Sequence, residues 1–250
     1  MKRMKKVWGI LLATVLLVTM FSNTAFAAIS VPKSQTIYLT SKNGTSSVSI
    51  PVNGLTKKQK ITKSSVKSSN TSVLAPSSLN RNTNEYTTQY INNKSKDYSS
   101  SYVSSSIYFD AKKAGTSTIT FKVGSKSYKS KVTVKKYVNP ATTIIIPGVN
   151  SGKNIASKFN SDTYESGKQT KTAKSGKIRV KAASGWKLVR VYIDDNKLNG
   201  HGISYWSSKG VSSVSLPIAF ALKAKGKYYY SFTFQNTKNK AELTLTYNTY

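Results

Sequence analysis

The sequence predicts an all-β protein built from two β-sandwich domains in tandem, and three observations lead to this expectation. Aromatic and β-branched residues recur at every second position in many short runs, and the 250-residue chain contains 16 Tyr and 8 Phe. Such alternation is what a half-buried pleated strand requires. Turn signals separate these runs at short intervals, and no long segment shows a helical period.

The N-terminal segment has the composition of a secretory signal peptide. A basic start precedes a mostly apolar stretch from Val7 to Met20, and Ala25-Phe26-Ala27 has the small-residue pattern at which such leaders are cleaved. We therefore expect residues 1–27 to be removed and the mature chain to begin at Ala28. No second apolar run of about 18 residues follows, so we expect no transmembrane segment in the mature chain.

In the first half of the chain, short alternating runs predict successive strands. The predicted elements are strands over 36–40 and 44–52, one helical turn over 55–60, a short strand over 61–66, a long hairpin or a loop over Asn80–Asp97, and strands over 102–109, 116–123 and 128–135. Pro51 indicates that its strand lies at a sheet edge or contains a bulge. The run over 128–135 is the clearest, because apolar residues alternate with Lys129, Lys131 and Lys135.

The second half follows the same pattern. The predicted strands cover 142–146, 177–183, 186–193, one or two segments within 211–222, 227–235 and 241–247. Ser184-Gly185 lies between two of these runs and predicts a tight β-hairpin. Pro140 cannot donate a ladder hydrogen bond and marks the exit from the first sandwich. We therefore place the domains at 28–138 and 139–250, each of the usual size for a sandwich of about 100 residues.

Two segments of the first domain resemble the bacterial immunoglobulin-like domains of group 2, which occur in surface adhesins. Residues 68–73, Ser-Ser-Asn-Thr-Ser-Val, are similar to the S-x-N-x-x-V segment of that family. Residues 111–120 are similar to its A-x-x-x-G-T-x-x-I-T segment, and a final strand at 131–134 follows at the usual spacing. The Trp that commonly precedes the first segment is missing. The resemblance covers about residues 33–136 and implies an immunoglobulin-like sandwich in a bacterial surface or secreted protein.

The second domain carries no such motif, and its strands fit a second immunoglobulin-like or a carbohydrate-binding-like sandwich. Together the two halves predict tandem β-sandwiches of immunoglobulin-like type after a signal peptide.

The charge is the strongest functional signal. The chain has 39 Lys and Arg against 8 Asp and Glu, for a formal charge of +31. Such an excess favours polyanions through steering and counterion release. Lys177, Arg179 and Lys181 have a spacing of two, which places them on one face of a strand. Lys187 and Arg190 follow on the other strand of the predicted hairpin, so the five residues predict one polyanion-binding patch.

Aromatic residues offer a second kind of site. Tyr205 and Trp206 lie in a segment flanked by glycines, where they predict a flat platform for the face of a sugar. The alternative interpretation is that Trp206 closes the end of the sandwich as part of the core.

The composition excludes several kinds of catalytic site. The absence of Cys removes disulfides, thiolate metal sites and a Cys nucleophile, and a single His excludes a multi-His site, so we expect neither a metal nor a cofactor. A Ser-His-Asp triad built on His201 would need a nucleophilic Ser, and the sequence has no Gly-x-Ser-x-Gly elbow to present one. Glycoside hydrolysis needs two carboxyls that face one bond, and such a pair would have to come from the eight carboxylates of the mature chain, which include the neighbouring pairs Asp194-Asp195 and Asp162-x-x-Glu165. Both pairs also fit ordinary turns and loops.

The leading hypothesis is therefore a secreted, extracellular or cell-wall-associated bacterial protein without enzymatic activity. It would adhere to an anionic cell-wall polymer or an acidic polysaccharide by electrostatic contact. Nucleic acid is not expected as a partner in vivo, because the leader directs the chain out of the cell and the aromatic-plus-basic code of RNA-binding modules is absent. The alternatives are a carbohydrate-binding module and a small glycan hydrolase.

Overall fold

A computed structural model of the chain describes residues 28–88, 98–195 and 202–249. The predicted signal peptide, residues 89–97 of the segment Asn80–Asp97, and His201 lie outside the described residues. Within those ranges the regular structure is β apart from three short 3-10 turns at Lys63–Ser65, Asn150–Gly152 and Ala156–Lys158. No helix in the described part of the chain is long and apolar enough to cross a membrane.

Two sheets form the first body. Its strands are β1 (Ser34–Tyr38), β2 (Ser46–Leu55), β3 (Lys67–Ser68), β4 (Leu74–Thr88), β5 (Tyr98–Ala111), β6 (Gly115–Val123) and β7 (Lys126–Lys135). The sheet orders are β1-β7-β6-β3 and β2-β5-β4, with β1 parallel to β7. Alternate residues such as Ile50, Phe109 and Ile119 are fully buried between the sheets. The alternation of the sequence thus becomes one core face and one solvent face per strand.

The second body has the same layered plan. Its strands are β8 (Ala141–Ile145), β9 (Thr163–Gly167), β10 (Lys177–Ala182), β11 (Trp186–Asp195), β12 (Gly202–Val211), β13 (Ser213–Pro217), β14 (Tyr228–Asn236) and β15 (Glu242–Thr249). A three-stranded sheet, β13-β10-β8, faces a five-stranded sheet, β12-β11-β14-β15-β9. Tyr230, Phe232 and Phe234 are fully buried in its core. The predicted fold class, an all-β chain with two sandwiches in tandem, is confirmed.

Several local predictions are confirmed and others are wrong. Strand β2, which contains Pro51, is an edge strand, and β4 and β5 form one long hairpin across the described parts of Asn80–Asp97. Residues 55–60 contain a turn closed by the Gln59 N–H on the Thr56 carbonyl, not a helical turn. The predicted strand over 61–66 is replaced by the 3-10 turn at Lys63–Ser65, because the Ser65 hydroxyl donates to the Thr62 carbonyl at 2.6 Å.

The predicted hairpin at Ser184-Gly185 is also wrong. Strand β10 pairs with β13 and β8, whereas β11 pairs with β12 and β14, so the turn carries the chain from one sheet to the facing one. Both strands direct apolar side chains into the same core, including Val180 from β10 and Val191 from β11. Folding one strand over the other buries both apolar faces, which lateral pairing of the two strands would not achieve.

Side chains from the first body take part in the core of the second. Tyr38 packs against Trp186 with ring centroids 5.0 Å apart, and its hydroxyl accepts a hydrogen bond from Asn239 Nδ2 at 3.2 Å. The Tyr137 hydroxyl lies 2.8 Å from the Ser161 carbonyl oxygen. Both tyrosines belong to the buried cluster of the second body. The domain boundary between residues 138 and 139 stays a prediction, with these two side chains on its N-terminal side.

Candidate functional site

Strand β10 presents a row of three cations to solvent. Its side chains alternate strictly, with Ile178, Val180 and Ala182 in the core and Lys177, Arg179 and Lys181 exposed. We call the three exposed residues the β10 ridge. At about 3.3 Å per strand residue, successive charges of the ridge are about 7 Å apart. The spacing-two prediction for these residues agrees with the burial pattern.

The neighbours of the β10 ridge carry no charge. Lys181 lies opposite Ser213 and Thr143, Arg179 lies opposite Ser215 and Ile145, and Lys177 lies opposite Pro217. Directly opposed side chains are the closest partners that a sheet offers, about 5 Å away between Cβ atoms. The ridge therefore lies on the middle strand of its sheet without a carboxylate among its register partners.

The first body repeats this arrangement on β7. Lys129, Lys131 and Lys135, which we call the β7 ridge, are exposed on a strand that lies between β1 and β6. Lys129 is opposite Thr120, and Lys131 is opposite Thr118 on one side and Ser34 on the other. Short hydroxyl side chains flank Lys129 and Lys131, whereas Lys135 lies opposite Tyr38. Each body thus displays a row of cations on an inner strand of one sheet.

Lys187 and Arg190 do not join the β10 ridge. Both are exposed on β11, in the facing five-stranded sheet, so their side chains project from the opposite outer face of the second body. The predicted five-residue patch is therefore split into the β10 ridge and a separate pair. This error follows from the hairpin prediction, which placed β10 and β11 side by side.

Tyr205 and Trp206 lie in strand β12, not in a loop, and point to opposite faces. Tyr205 opposes Val191 and packs partly buried against the core, whereas Trp206 opposes Arg190 on the outer face. Trp206 is 66% exposed, so it does not close the end of the sandwich. The two residues do not form one platform. Trp186, the other Trp of the second body, is buried against Tyr38.

The outer face of the five-stranded sheet brings Trp206 together with other residues. Tyr192 follows Arg190 by two positions on β11, is 37% exposed, and lies with its ring centroid 6.4 Å from that of Tyr229 on β14. The Asp194 carboxylate beside Tyr192 raises the pKa of that phenol. We call Trp206, Arg190, Tyr192, Asp194 and Tyr229 the aromatic platform. Sequence reasoning missed Tyr192 and Tyr229, although both alternate with buried residues of their strands.

The described carboxylates are dispersed. Asp162 is half-buried where its N–H donates to the Thr40 carbonyl of the first body, and burial raises the pKa of its carboxyl while a hydrogen bond from the Thr163 hydroxyl opposes that shift. Burial and the nearby Asp162 charge raise the pKa of Tyr137. The structure does not describe the side chains of Glu165 and Asp195, which are the carboxylates next to Asp162 and Asp194 in the sequence. The described residues contain no cluster of three or more His, Cys, Asp or Glu suited to a metal ion.

Comparison with known proteins gives only distant likenesses. No protein-family model and no curated protein matches the chain, so the resemblance to group 2 bacterial immunoglobulin-like domains stays a resemblance. Among solved structures, domains 5-6 of the S-layer protein SbsC are 12% identical over 89% of this chain and 97% of that one, with a TM-score of 0.27. A chimeric titin Z1Z2 is 10% identical over 89% and 94%, with a TM-score of 0.26.

A longer piece of the same S-layer protein is also similar. Domains 4-9 of SbsC are 12% identical over 89% of this chain, with a TM-score of 0.28, and the chain spans 31% of that structure. TM-scores this low support no conclusion about function. The functional proposal is therefore based on the geometry and sequence of this chain.

Proposed function

We propose that the mature chain is a secreted, non-catalytic protein that binds an anionic polymer of a bacterial envelope on the β10 ridge. The supporting observation is the ridge itself, which has three exposed cations in a row on the middle strand of a sheet and no carboxylate opposite them. Cations without a local counter-charge keep condensed or mobile anions near them. A polyanion that replaces these anions gains the entropy of their release.

The spacing of the ridge suits an extended polymer. Charges about 7 Å apart on a flat strand match a chain that carries one anionic group per extended monomer. Ser213, Thr143 and Pro217 beside Lys181 and Lys177 are short, which favours the approach of a polymer to these two cations, whereas Arg179 has the larger Ile145 on one side and Ser215 on the other. The β7 ridge offers the same chemistry on the first body.

The choice of an envelope polymer depends on the sequence. The predicted leader directs the chain out of the cell, and the segments at 68–73 and 111–120 resemble domains of bacterial surface proteins. Phosphate-rich wall polymers and acidic polysaccharides are abundant anions in that location. Electrostatic attraction explains retention at a surface without a covalent anchor.

A salt-resolved pull-down of the mature chain on isolated bacterial cell walls tests this proposal. We expect walls that retain their teichoic acid to bind the chain at low salt and to release it as salt rises. Walls stripped of teichoic acid should bind much less. Equal binding to both preparations at every salt concentration would contradict an anionic wall polymer as the ligand.

A further inference from the structure

We propose that the aromatic platform is a second binding site, for a neutral β-1,4-linked polysaccharide. The platform consists of Trp206, Arg190, Tyr192, Asp194 and Tyr229 on the outer face of the five-stranded sheet. This face is opposite to that of the β10 ridge, so the two sites do not overlap.

Exposed apolar area is concentrated at the platform. In the described parts of the chain, three large hydrophobic side chains are exposed, namely Val138, Tyr192 and Trp206, and two of these belong to the platform. Trp206 has the highest exposure of the three, at 66%, although it lies within a strand. Large apolar groups gathered on one part of a surface mark a binding site more often than single exposed residues do.

Polar groups of both kinds lie among the rings. Arg190 is directly opposite Trp206 and supplies N–H donors, while Asp194, two residues beyond Tyr192, supplies acceptors. A hexopyranose ring has the complementary pattern, with C–H groups on its face and hydroxyls around its edge. Stacking of the ring face on Trp or Tyr buries apolar area, and the hydroxyls then meet Arg190 and Asp194.

The positions of the rings suit an extended ligand. Trp206 and Tyr192 are diagonal neighbours across two paired strands, about 7–8 Å apart at the backbone. Tyr229 continues the same diagonal onto the next strand, opposite Asp194. A β-1,4-linked chain is a flat ribbon that presents successive ring faces along such a row. Because the ring planes of Tyr192 and Tyr229 are 60° apart, the ribbon would stack on Trp206 and on one of the two tyrosines and would contact the other at its edge.

The Asp194 carboxylate favours a neutral glycan over a nucleic acid as the ligand of the platform. Aromatic side chains with an Arg also form stacking surfaces for single-stranded nucleic acids. Asp194 lies beside Tyr192 closely enough to raise the pKa of its phenol, and its negative charge opposes a phosphate backbone at that position. A neutral glycan has no such conflict and uses the carboxylate as a hydrogen-bond acceptor.

Titration calorimetry on the mature chain tests the proposal with two probes, cellohexaose and the β-1,4-linked hexamer of N-acetylglucosamine. We expect at least one to bind with an affinity that is nearly unchanged between low and high salt. Trp206→Ala should weaken that binding about tenfold or more. Tyr108→Ala, which removes an outward Tyr of the first body, should leave it unchanged, and circular dichroism should show that both variants are folded.

Other outcomes would overturn the proposal. These are no binding of either hexamer, equal losses from Trp206→Ala and Tyr108→Ala, or binding to polyuridylate alone. Sedimentation that shows a dimer abolished by Trp206→Ala would assign the platform to a second copy of the chain. Binding to cell walls is expected to depend on salt and on the β10 ridge, whereas binding of the hexamers is expected to depend on neither. Each proposal can therefore be contradicted without affecting the other.

Discussion

Two buried serines of the first body differ in whether their hydroxyls have a partner. Ser117 Oγ lies 2.8 Å from Ser68 Oγ and accepts from the Asn70 N–H at 3.1 Å. Ser130 Oγ is fully buried and has no hydrogen-bond partner. A buried polar group without a partner loses its hydration with no compensation.

We therefore predict opposite effects of the same substitution. Ser117→Ala should destabilise the fold by about 1–2 kcal/mol, because it removes the hydrogen bond with Ser68 Oγ and the shorter of the two hydrogen bonds that the Asn70 N–H donates. Ser130→Ala should be neutral or stabilising by up to about 1 kcal/mol. Urea unfolding of both variants measures the difference in the free energy of unfolding. A larger loss of stability from Ser130→Ala than from Ser117→Ala would contradict the assignment of hydrogen bonds to these two hydroxyls.

Gly115 is constrained by both its backbone and its neighbour. Its φ is 155°, and a Cβ added there would lie 2.7 Å from Val73 Cγ2. Gly115→Val should therefore destabilise the chain by about 1 kcal/mol from the backbone alone, and by more from the clash. Gly124→Val is the matched control, since its φ is 60° but nothing lies within 4 Å of the added Cβ. Thermal melts in which the two variants are equal would rule out the contact with Val73.

The contact of Gly115 with Val73 also explains why two sequence segments belong together. Val73 ends the segment at 68–73, and Gly115, the first residue of β6, lies within the segment at 111–120. Ser69 Oγ accepts from the Thr118 N–H at 2.8 Å, which joins the same two segments again. The motifs singled out in the sequence are therefore one contact region of the fold.

At the scale of elements, alternation predicted which faces of the strands are buried but not which strands pair. The run over 128–135 became β7 with its cations outward, as predicted. Ser184-Gly185 predicts a hairpin because Ser-Gly is a common turn dipeptide. A two-residue loop there would pair Lys181 with Leu188, placing an exposed cation and a buried residue on one face. This mismatch is visible in the sequence and argues for a crossing between sheets.

The platform shows a similar limit of sequence reasoning. Glycines around Tyr205 and Trp206 indicated a loop, but the alternation of Ile203 and Tyr205 with Ser204 and Trp206 is that of a strand. Tyr192 and Tyr229 join Trp206 only through pairing of β11 with β12 and β14. Such long-range pairing depends on the whole sandwich, so a local pattern does not determine it.

The pairing of β10 can be tested by cross-linking, since the native chain has no Cys. Arg179 and Ser215 are register partners on β10 and β13. We expect the double variant Arg179→Cys, Ser215→Cys to form a disulfide on mild oxidation, because directly opposed Cβ atoms lie within bridging range. Arg179→Cys with Arg190→Cys, which a hairpin would place opposite each other, should keep two free thiols. A thiol assay that finds a disulfide in the Arg179→Cys, Arg190→Cys variant and free thiols in the Arg179→Cys, Ser215→Cys variant would support the hairpin instead.

At the scale of the whole molecule, the two bodies contact each other through polar and aromatic groups. Tyr38, Thr40 and Tyr137 of the first body meet Trp186, Ser161 and Asp162 of the second. Asp162 is half-buried at this contact, and burial raises the pKa of its carboxyl. Its charge therefore opposes the folded state at neutral pH.

The sign of this effect gives a pH prediction. A carboxyl with a raised folded-state pKa binds its proton more tightly when folded, so the free energy of unfolding falls as pH rises above the ordinary Asp value of about 3.9. Asp162→Asn should remove this contribution, giving a higher Tm than the native chain near neutral pH and little difference below about pH 3. Melting curves over that range test it, and a lower Tm of the variant at pH 7 would contradict it.

The charge of +31 acts through particular surfaces in this account. The β10 ridge and the aromatic platform lie on opposite outer faces of the second body, and the β7 ridge lies on the first. A salt-sensitive site and a salt-insensitive site on one chain would allow simultaneous contact with two envelope polymers. The central claim is that the β10 ridge binds a polyanion, because the sequence and the structure both place its three cations on one exposed face.

The most direct test compares two triple variants that lose the same charge. Lys177→Ser, Arg179→Ser, Lys181→Ser removes the β10 ridge, whereas Lys58→Ser, Lys60→Ser, Lys113→Ser removes exposed cations outside it. Affinity for long-chain polyphosphate, measured over a range of salt, should fall with a log–log slope of about one per neutralised contact. We expect the ridge variant to bind more weakly and with a slope shallower by about three, and the control to stay near the native chain. Equal losses from the two variants, or native binding that does not depend on salt, would contradict the account.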